Sequence, residues 1–599
     1  MTQKDVYILG LSFDYHDSAA ALIKNGQVIA AVQEERFTRE KHDADLPINS
    51  INYCLNFASI TSEDLYGVVF YEKPLIKFER LLKTYINTWP KGLLSFIKAM
   101  LSFLKGKLWV ESRIRKALGE YKGPVFFTQH HYSHAASAYY CSGFNESVVV
   151  TMDGVGEFDT TTIGFGQGNA LKLTHTLEFP HSLGLLYSAL TYYLGFKVNS
   201  AEYKVMGLAP YGDPEKYYQK FKELVEVKED GSFRLNMKYF SYEYGLRMTN
   251  KKFDELFGAG PRQPESPLTQ REKDIAAALQ KITNEIVLAI VNKARNLFPS
   301  KNLCLAGGVA LNCVANGKIL EKQWFDNIYI QPAAGDAGGA VGAALFVYFN
   351  GLNNTFPLAD KQVMESVYLG PECSQQEVEK FLHNDVKEII GQDKEVVYEK
   401  FSDEGIIAKI AELITGNNVI GLCNGRMEFG PRSLGNRSII ADARNKENWQ
   451  KVNLKIKFRE SFRPFAPTVL EDKIAECFNI NCSSPYMLLV ASVKRLDIPA
   501  VTHIDNSARI QSVNRKQNQR YYDIINSFDS KTGCPVIVNT SFNVRGEPIV
   551  LSPKDAFNTF LNTFMDFLVL GNYLISKKEN EQLVDQAKMR AYIGTFKLD

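Results

Sequence analysis

The 599 residues contain no C-x-x-C pair, and the nine cysteines are scattered and odd in number. That argues against a disulfide framework and for free thiols in a reducing, cytoplasmic compartment. No apolar run reaches the ~20 residues that a membrane-spanning helix needs. The opening MTQKDVYILGLSF lacks a signal-peptide cleavage pattern, so no leader is expected. An excess of one charge is missing too. Lys and Arg number 69 against 67 Asp and Glu, a net charge of +2. No global field and no basic stripe point to nucleic acid or an anionic membrane, and neither is expected as a partner. What remains is a chain with 45% hydrophobic residues, too long for a single core.

Histidine is also sparse, yet three of the nine fall within five residues in QHHYSHAASAYYCSGFNESVVVTMDGVGE, Gln129 to Glu157. His130 and His134 stand four apart, so on a helix both imidazoles project from one face. Ser147 to Met152 reads as a buried strand, and Asp153 leaves its end ahead of Gly154 and Gly156. Asp336 occupies a similar place, where the strand Ile328 to Gln331 gives way to the small-residue run GDAGGAVGAAL. Two imidazoles and two carboxylates suit a divalent metal. The alternative is a histidine-rich helix turn in ordinary core or capping roles, with Asp336 as N-cap of its helix. Spacing leaves both open.

A repeat organises the first half. Val6–Leu11, the loop SFDYHDS, Ala19–Ile23, the turn Asn25-Gly26 and Val28–Val32 form a strand–loop–strand–turn–strand unit. Val148–Met152, DGVGEFD, Thr160–Phe165 and Leu171–Leu177 form it again. Each loop carries acids and small residues where a phosphate and its metal can approach the backbone. Between the units, residues 75 to 118 read as one or two amphipathic helices, expected to pack their apolar face on the core rather than on a membrane surface. SAEYKVMGLAPYGD, from Ser200, reads as a structured turn. LCLAGGVALN, Leu303 to Asn312, reads as strand, Gly307-Gly308 bend and helix start.

Residues 356 to 375 are read as the linker between a domain over 1–355 and one over 376–599. Beyond it, NGRMEFGPRSLGNRSIIADAR mixes Arg426, Arg432, Arg437 and Arg444 with glycines, a pattern suited to gripping phosphate or carboxylate oxygens. In KIKFRESFRPFAP, Lys457 and Arg459 share a face if the segment is a strand, with Arg463 following. Arg509 lies in ARIQSV. The strand Val536–Thr540 runs into Ser541 and Asn543.

Together HHYSHAASAYY, VVTMDGVGE, EYKVMGLAPYG, GGVALN, GDAGGA, EFGPRSLGNRS, KFRESFRPFAP and NTSFNVRGEPIV resemble the O-carbamoyltransferases of nodulation-factor, aminoglycoside, cephamycin, ansamycin and saxitoxin biosynthesis. The resemblance covers nearly the whole chain. It implies an α/β architecture: an N-terminal duplicated actin-like ATPase (Kae1-like) domain followed by a C-terminal YrdC-like domain, whose K-x-R and S-x-N marks stand as Lys457-Phe458-Arg459 and Ser541-Phe542-Asn543. It further implies that ATP, with Mg2+, and carbamoyl phosphate give carbamoyl adenylate and pyrophosphate in the second domain. The first domain then moves the carbamoyl group to a hydroxyl of a small acceptor with help from Fe2+ or another divalent metal. On this pattern His130, His134, Asp153 and Asp336 are metal ligands. Arg432, Lys457, Arg459, Arg463, Arg509, Ser541 and Asn543 grip carbamoyl phosphate or the adenylate, with Lys457 and Arg463 catalytic. Gly154, Gly156, Gly307, Gly308 and Asn312 line the nucleotide cleft of the first domain. His16 is the candidate base for the acceptor hydroxyl, since imidazole titrates near working pH; its alternative role is a hydrogen bond within its loop. His131 and His181 are weaker candidates. The pattern admits a homodimer. A threonylcarbamoyl-adenylate relative acting on tRNA and a non-catalytic ATP-binding protein remain as alternatives.

Overall fold

The computed structural model describes residues 5–357, 362–460 and 462–596. Two compact units emerge: Met1–Glu34 with His42–Glu365, and Glu35–Lys41 with Ser366–Asp599. The segment Glu35–Lys41, which a split at 356–375 leaves in the first domain, thus belongs with the second unit. Positions 358–361 of the expected linker lie outside the described residues.

The first unit contains two five-stranded sheets of one topology. In the first, the spatial order is Gln27–Gln33, Ala19–Lys24, Tyr7–Ser12, Leu65–Phe70 and Val125–Phe127. The first three strands run antiparallel and the last two add in parallel. In the second, Ala170–Glu178, Asp159–Gln167, Glu146–Met152, Asn302–Ala306 and Asn327–Ile330 repeat that order and those directions. This duplication is the arrangement expected of the first domain. The Asn25-Gly26 turn forms as its residues dictate: φ is +50° and +84°, and Lys24 pairs with Gln27.

The small-residue helix Asp336–Phe346 packs against both the helix His130–Tyr139 and the first sheet. Its glycines are spacing devices. A Cβ on Gly342 would stand 1.7 Å from the Ser133 carbonyl oxygen, and one on Gly10 would stand 1.9 Å from that of Ala340. Only bare backbone permits these approaches.

Two expectations fail in this unit. Residues 202 to 211 are a helix, Glu202–Leu208, and a 3-10 turn, where only a structured turn was expected. Residues 74 to 117 do form helices, Pro74–Thr88, Leu93–Lys105 and Val110–Ala117, but the middle one does not turn its apolar face to the core. Of its residues only Phe103 is buried, while Leu93, Leu94, Ile97, Leu101 and Leu104 are exposed.

The second unit is built on a nine-stranded mixed sheet with Ile420–Cys423, Arg437–Asp442, Val536–Ser541 and Ala466–Leu470 at its centre. The helices Asp403–Thr415 and Gln519–Thr532 pack on one another beside it. The strand expected through Lys457 and Arg459 is absent. Lys451–Ile456 is a π-helical turn and the next residues are irregular. Phe458 takes φ +47°, which breaks an extended backbone, and the Arg459 guanidinium turns back to donate to Asn453 Oδ1 at 2.6 Å. All nine cysteines are free, and eight are buried.

Candidate active site

The helix His130–Tyr139 sets two imidazoles one turn apart, and the fold faces them inward. His130 and His134 are each 1% exposed. Their Nε2 atoms stand 3.0 Å apart. Asp153, one residue past its strand, brings Oδ2 to 3.2 Å from His130 Nε2 and 3.9 Å from His134 Nε2. Asp336 brings Oδ1 to 3.7 Å from both nitrogens. The four ligand atoms lie within 4.8 Å of one another, and all four residues are buried. Asp336 is the first residue of its helix; Gly335 holds the N-cap position and no side chain caps the helix. The carboxylate is therefore directed to the cluster and to the Tyr71 hydroxyl, which donates to it at 3.3 Å.

Two facing Nε2 atoms cannot both carry a proton at 3.0 Å. One shared proton or a metal ion resolves the conflict, and the two adjacent carboxylates supply the charge that a divalent cation needs. Without a metal, burial works against a charged His130, but the hydrogen bond to Asp153 and the carboxylates of Glu72 and Asp336 hold its pKa well above the ordinary value. Burial likewise opposes ionisation of Asp153, yet the hydrogen bond from His130 and the charges of His134 and His130 hold it well below. The donor set, two imidazoles and two carboxylates, fits Fe2+ or another divalent first-row metal.

A second layer braces the cluster. Glu72 Oε2 is 3.7 Å from His130 Nδ1 and receives the Lys77 ammonium at 2.6 Å. Glu157 accepts the backbone N–H of His130 at 3.1 Å. Gly308 N–H donates to Asp153 Oδ1 at 2.8 Å. Gly307, at φ +88°, allows that approach, because a Cβ there would lie 2.2 Å from the Met152 carbonyl oxygen. The Gly307-Gly308 bend thus positions a carboxylate. Asn312 caps the helix Cys313–Glu321 through Ala315 N–H and exchanges hydrogen bonds with Gln280. Around Gly154 a Cβ would meet nothing within 4 Å, whereas at Gly156 it would crowd His130 and His131.

The loop after the first strand carries His16. Its Nδ1 lies 2.9 Å from Asp17 Oδ2, and the other Asp17 oxygen is 2.7 Å from His42 Nδ1. His42 Nε2 continues to Ser200 Oγ at 2.9 Å. Asp17, at φ +55°, holds this arrangement in a left-handed turn. Burial opposes protonation of His16, but the charges of Asp336, Asp17 and Asp153 outweigh it and push the imidazole up to about 9. The charges of Asp336 and Asp153 thus act on this loop. Sequence reading missed His42 and Ser200; no spacing rule links residues 17, 42 and 200. The weaker candidates are otherwise engaged. His131 has both ring nitrogens engaged, by Thr151 Oγ1 at 2.6 Å and the Asp159 carbonyl at 2.9 Å, and burial with the neighbouring His130 and His134 lowers it to about 3. His181 accepts the Leu235 N–H.

In the second unit Lys457 is 3% exposed. Its ammonium lies 2.7 and 2.8 Å from the carbonyls of Ser541 and Asn543, and 2.5 Å from Asn543 Oδ1. Burial, then Arg459 and Arg463, push its pKa well below the ordinary lysine value. Ser541 Oγ donates to Asn543 Oδ1 at 2.7 Å, so the three residues form one knot. Arg463 sits 3.7 Å from Glu460, and Arg545 reaches the same carboxylate at 3.6 Å. Arg545, whose N–H donates to the Lys457 carbonyl, was missed although it stands two residues past Asn543. Arg39, from the Glu35–Lys41 segment, donates to Glu547 and to the Pro548 and Ile549 carbonyls, which fixes the turn beside this knot. Arg432 is half-buried in its loop, and Arg509 lies on the strand Ser507–Val513 opposite Val490.

The arginine cluster expected at 426–444 resolves differently. Arg437 is fully buried and donates to the carbonyls of Leu551, Asn424, Gly425, Asn436 and Pro371. Arg444 pairs with Asp442, and Arg426 donates to Leu369 and Gly370. These three serve the fold.

The first unit thus holds a buried four-ligand cluster on a duplicated sheet topology, and the second holds a buried lysine. The chain belongs to the carbamoyltransferase family and is a carbamoyltransferase. The family's Carbamoyltransferase N-terminus matches residues 7–345 and its Carbamoyltransferase C-terminus residues 411–577. An uncharacterised protein of Synechocystis is 51% identical over 99% of this chain and 100% of its own length. The nodulation protein NolNO of Sinorhizobium fredii is 40% identical over 94% of this chain and 79% of its own length. The nodulation protein NolO of Bradyrhizobium diazoefficiens is 38% identical over 75% and 79%. Among solved structures, a hexokinase of Thermus thermophilus covers 58% of this chain and 100% of its own at 13% identity and a TM-score of 0.30. No helix among the described residues is long and apolar enough to cross a membrane.

Proposed function

We propose that the chain is an ATP-dependent O-carbamoyltransferase that works through carbamoyl adenylate and modifies a hydroxyl of a small natural-product acceptor. In the second unit, water and carbamoyl phosphate give carbamate and inorganic phosphate. A carbamate oxygen attacks the α-phosphorus of ATP, brought as its Mg2+ complex, and the bond to the β-phosphate oxygen breaks with loss of pyrophosphate. Lys457, Arg459, Arg463, Arg432 and Arg509 are the cations for these anions, with Ser541 and Asn543 holding the Lys457 ammonium in place. Fixed cations stabilise the charge that develops on pyrophosphate without reorganisation.

In the first unit the acceptor oxygen attacks the carbamoyl carbon, AMP leaves, and His16 Nε2 takes the hydroxyl proton while its Nδ1 is held by Asp17; this role requires that a bound cation offset the Asp336 and Asp153 charges that otherwise keep His16 protonated. His130, His134, Asp153 and Asp336 would hold the divalent metal, Fe2+ by preference, which when bound supplies Lewis-acid polarisation of a carbonyl. The open backbone at Gly154 is the approach proposed for the adenylate.

The observation that carries this reading is the convergence of four buried ligand atoms within 4.8 Å in a chain of this family. The test is pyrophosphate release from ATP, Mg2+ and carbamoyl phosphate without acceptor. Release that requires both carbamoyl phosphate and Lys457 supports the reading. Release indifferent to Lys457→Ala, or acceptor carbamoylation that proceeds without ATP, overturns it.

A further inference from the structure

The helix Leu93–Lys105 offers a surface unlike the rest of the molecule. Leu93, Leu94, Ile97, Leu101 and Leu104 are 46%, 74%, 46%, 51% and 52% exposed. At 100° per residue they fall within about 100° of arc on one side of the helix. The opposite side seats it: Phe103 packs on Phe78 at 5.7 Å between ring centroids, and Phe96 stacks on Tyr85 at 3.8 Å. Ser95 Oγ donates to the Tyr244 carbonyl at 2.7 Å and Lys107 to that of Asp14, so the helix is tied down at both ends with its leucines outward. Trp89 and Trp109 flank it, 62% and 59% exposed.

The charge on the helix itself has one sign. Lys91, Lys98 and Lys105 are exposed beside the apolar arc, and the helix contains no acid. Of the seven Lys and Arg between Pro74 and Trp109, Lys77 pairs with Glu72 and Lys83 with Glu79, and Arg80 and Lys107 donate to backbone carbonyls, which leaves Lys91, Lys98 and Lys105 for this face. This local excess sits in a chain whose net charge is only +2. A second copy packed face to face would oppose these lysines across the symmetry axis. Apolar side chains flanked by lysines and tryptophans match instead the boundary between acyl chains and anionic headgroups. We propose that Leu93–Lys105 is a peripheral docking helix for an anionic lipid bilayer surface.

The test uses the full chain with extruded vesicles of phosphatidylcholine alone or with 30% phosphatidylglycerol, read by co-sedimentation and by tryptophan emission. Two of the four tryptophans lie in the patch. The wild type is expected to sediment with the anionic vesicles, with a blue shift, and to be released at about 300 mM salt. Lys98→Glu with Lys105→Glu, and separately Leu94→Gln with Leu101→Gln, are each expected to weaken binding about 10-fold or more. These residues are exposed, and circular dichroism checks that the variants fold. No binding to anionic vesicles overturns the proposal, as does binding that both double variants retain. A dimer in light scattering that the leucine variant dissociates, without vesicle binding, assigns the face to a second copy and also overturns it. None of these outcomes bears on pyrophosphate release.

Discussion

His16 and His42 are joined by one carboxylate: Asp17 holds His16 Nδ1 at 2.9 Å and His42 Nδ1 at 2.7 Å. With Ser200 behind His42, the row fixes which nitrogen of His16 is left for chemistry. Asp17→Asn and His42→Gln are therefore expected to lower carbamoyl transfer about 10- to 100-fold, the size seen for residues that orient a working imidazole. Pyrophosphate release should be unchanged. Measuring both products separates the effects, and an equal loss in the two assays would contradict the positioning role.

The raised pKa of His16 gives a pH signature. A folded-state value of about 9 lies above the unfolded value of about 6.5. The resulting stability is fully present below about pH 6.5 and disappears as pH rises through about 9. Metal-free wild type should therefore lose stability across that window relative to His16→Gln, as read by urea unfolding at pH 6, 8 and 10. Bound metal compensates Asp336 and Asp153, so its addition should shift the His16 proton resonance midpoint downward.

Metal binding should depend on Glu72 as well as on the four ligands. Its carboxylate lies 3.7 Å from His130 Nδ1. His130→Ala or Asp336→Ala is expected to abolish stoichiometric metal in elemental analysis. Glu72→Gln should keep the site and weaken affinity about 10- to 100-fold in competition with a chelator.

Two buried cations of the second unit should respond in opposite ways. Lys457→Ala is expected to leave the unit folded and to cut pyrophosphate release about 100-fold or more. Arg437→Ala strands five carbonyl acceptors and should destabilise by about 3 kcal/mol or more. Urea unfolding alongside the activity assay distinguishes them.

Gly342→Ala drives a methyl group into the Ser133 carbonyl, 1.7 Å away, and must move one of the two helices that carry ligands. A destabilisation of about 1–3 kcal/mol is expected, together with weakened metal binding, although residue 342 is no ligand.

The chain's local chemistry determined a good deal by itself. The duplicated strand units, the Asn25-Gly26 turn and the placement of His130 and His134 on one helical face follow from period, turn residues and the four-residue spacing, all of which act over a few positions. The motifs from HHYSHAASAYY to NTSFNVRGEPIV carried the family for the same reason. Tertiary structure decided what depends on distant partners. Arg437 looks like any arginine of its cluster until five carbonyls, from residues 371, 424, 425, 436 and 551, close around it. Lys457 and Arg459 alternate as a strand would, but a left-handed Phe458 and the pull of Asn453 take them out of the sheet. The leucines of 93–105 have the period of a core helix, and only the packing of Phe96 and Phe103 decides that the other face meets solvent. The row His16, Asp17, His42 and Ser200 joins residues up to 184 positions apart. Periodicity reads neighbours along the chain; which side of a helix is covered, and which charges meet, is set by the energy of burying groups that the sequence keeps far apart.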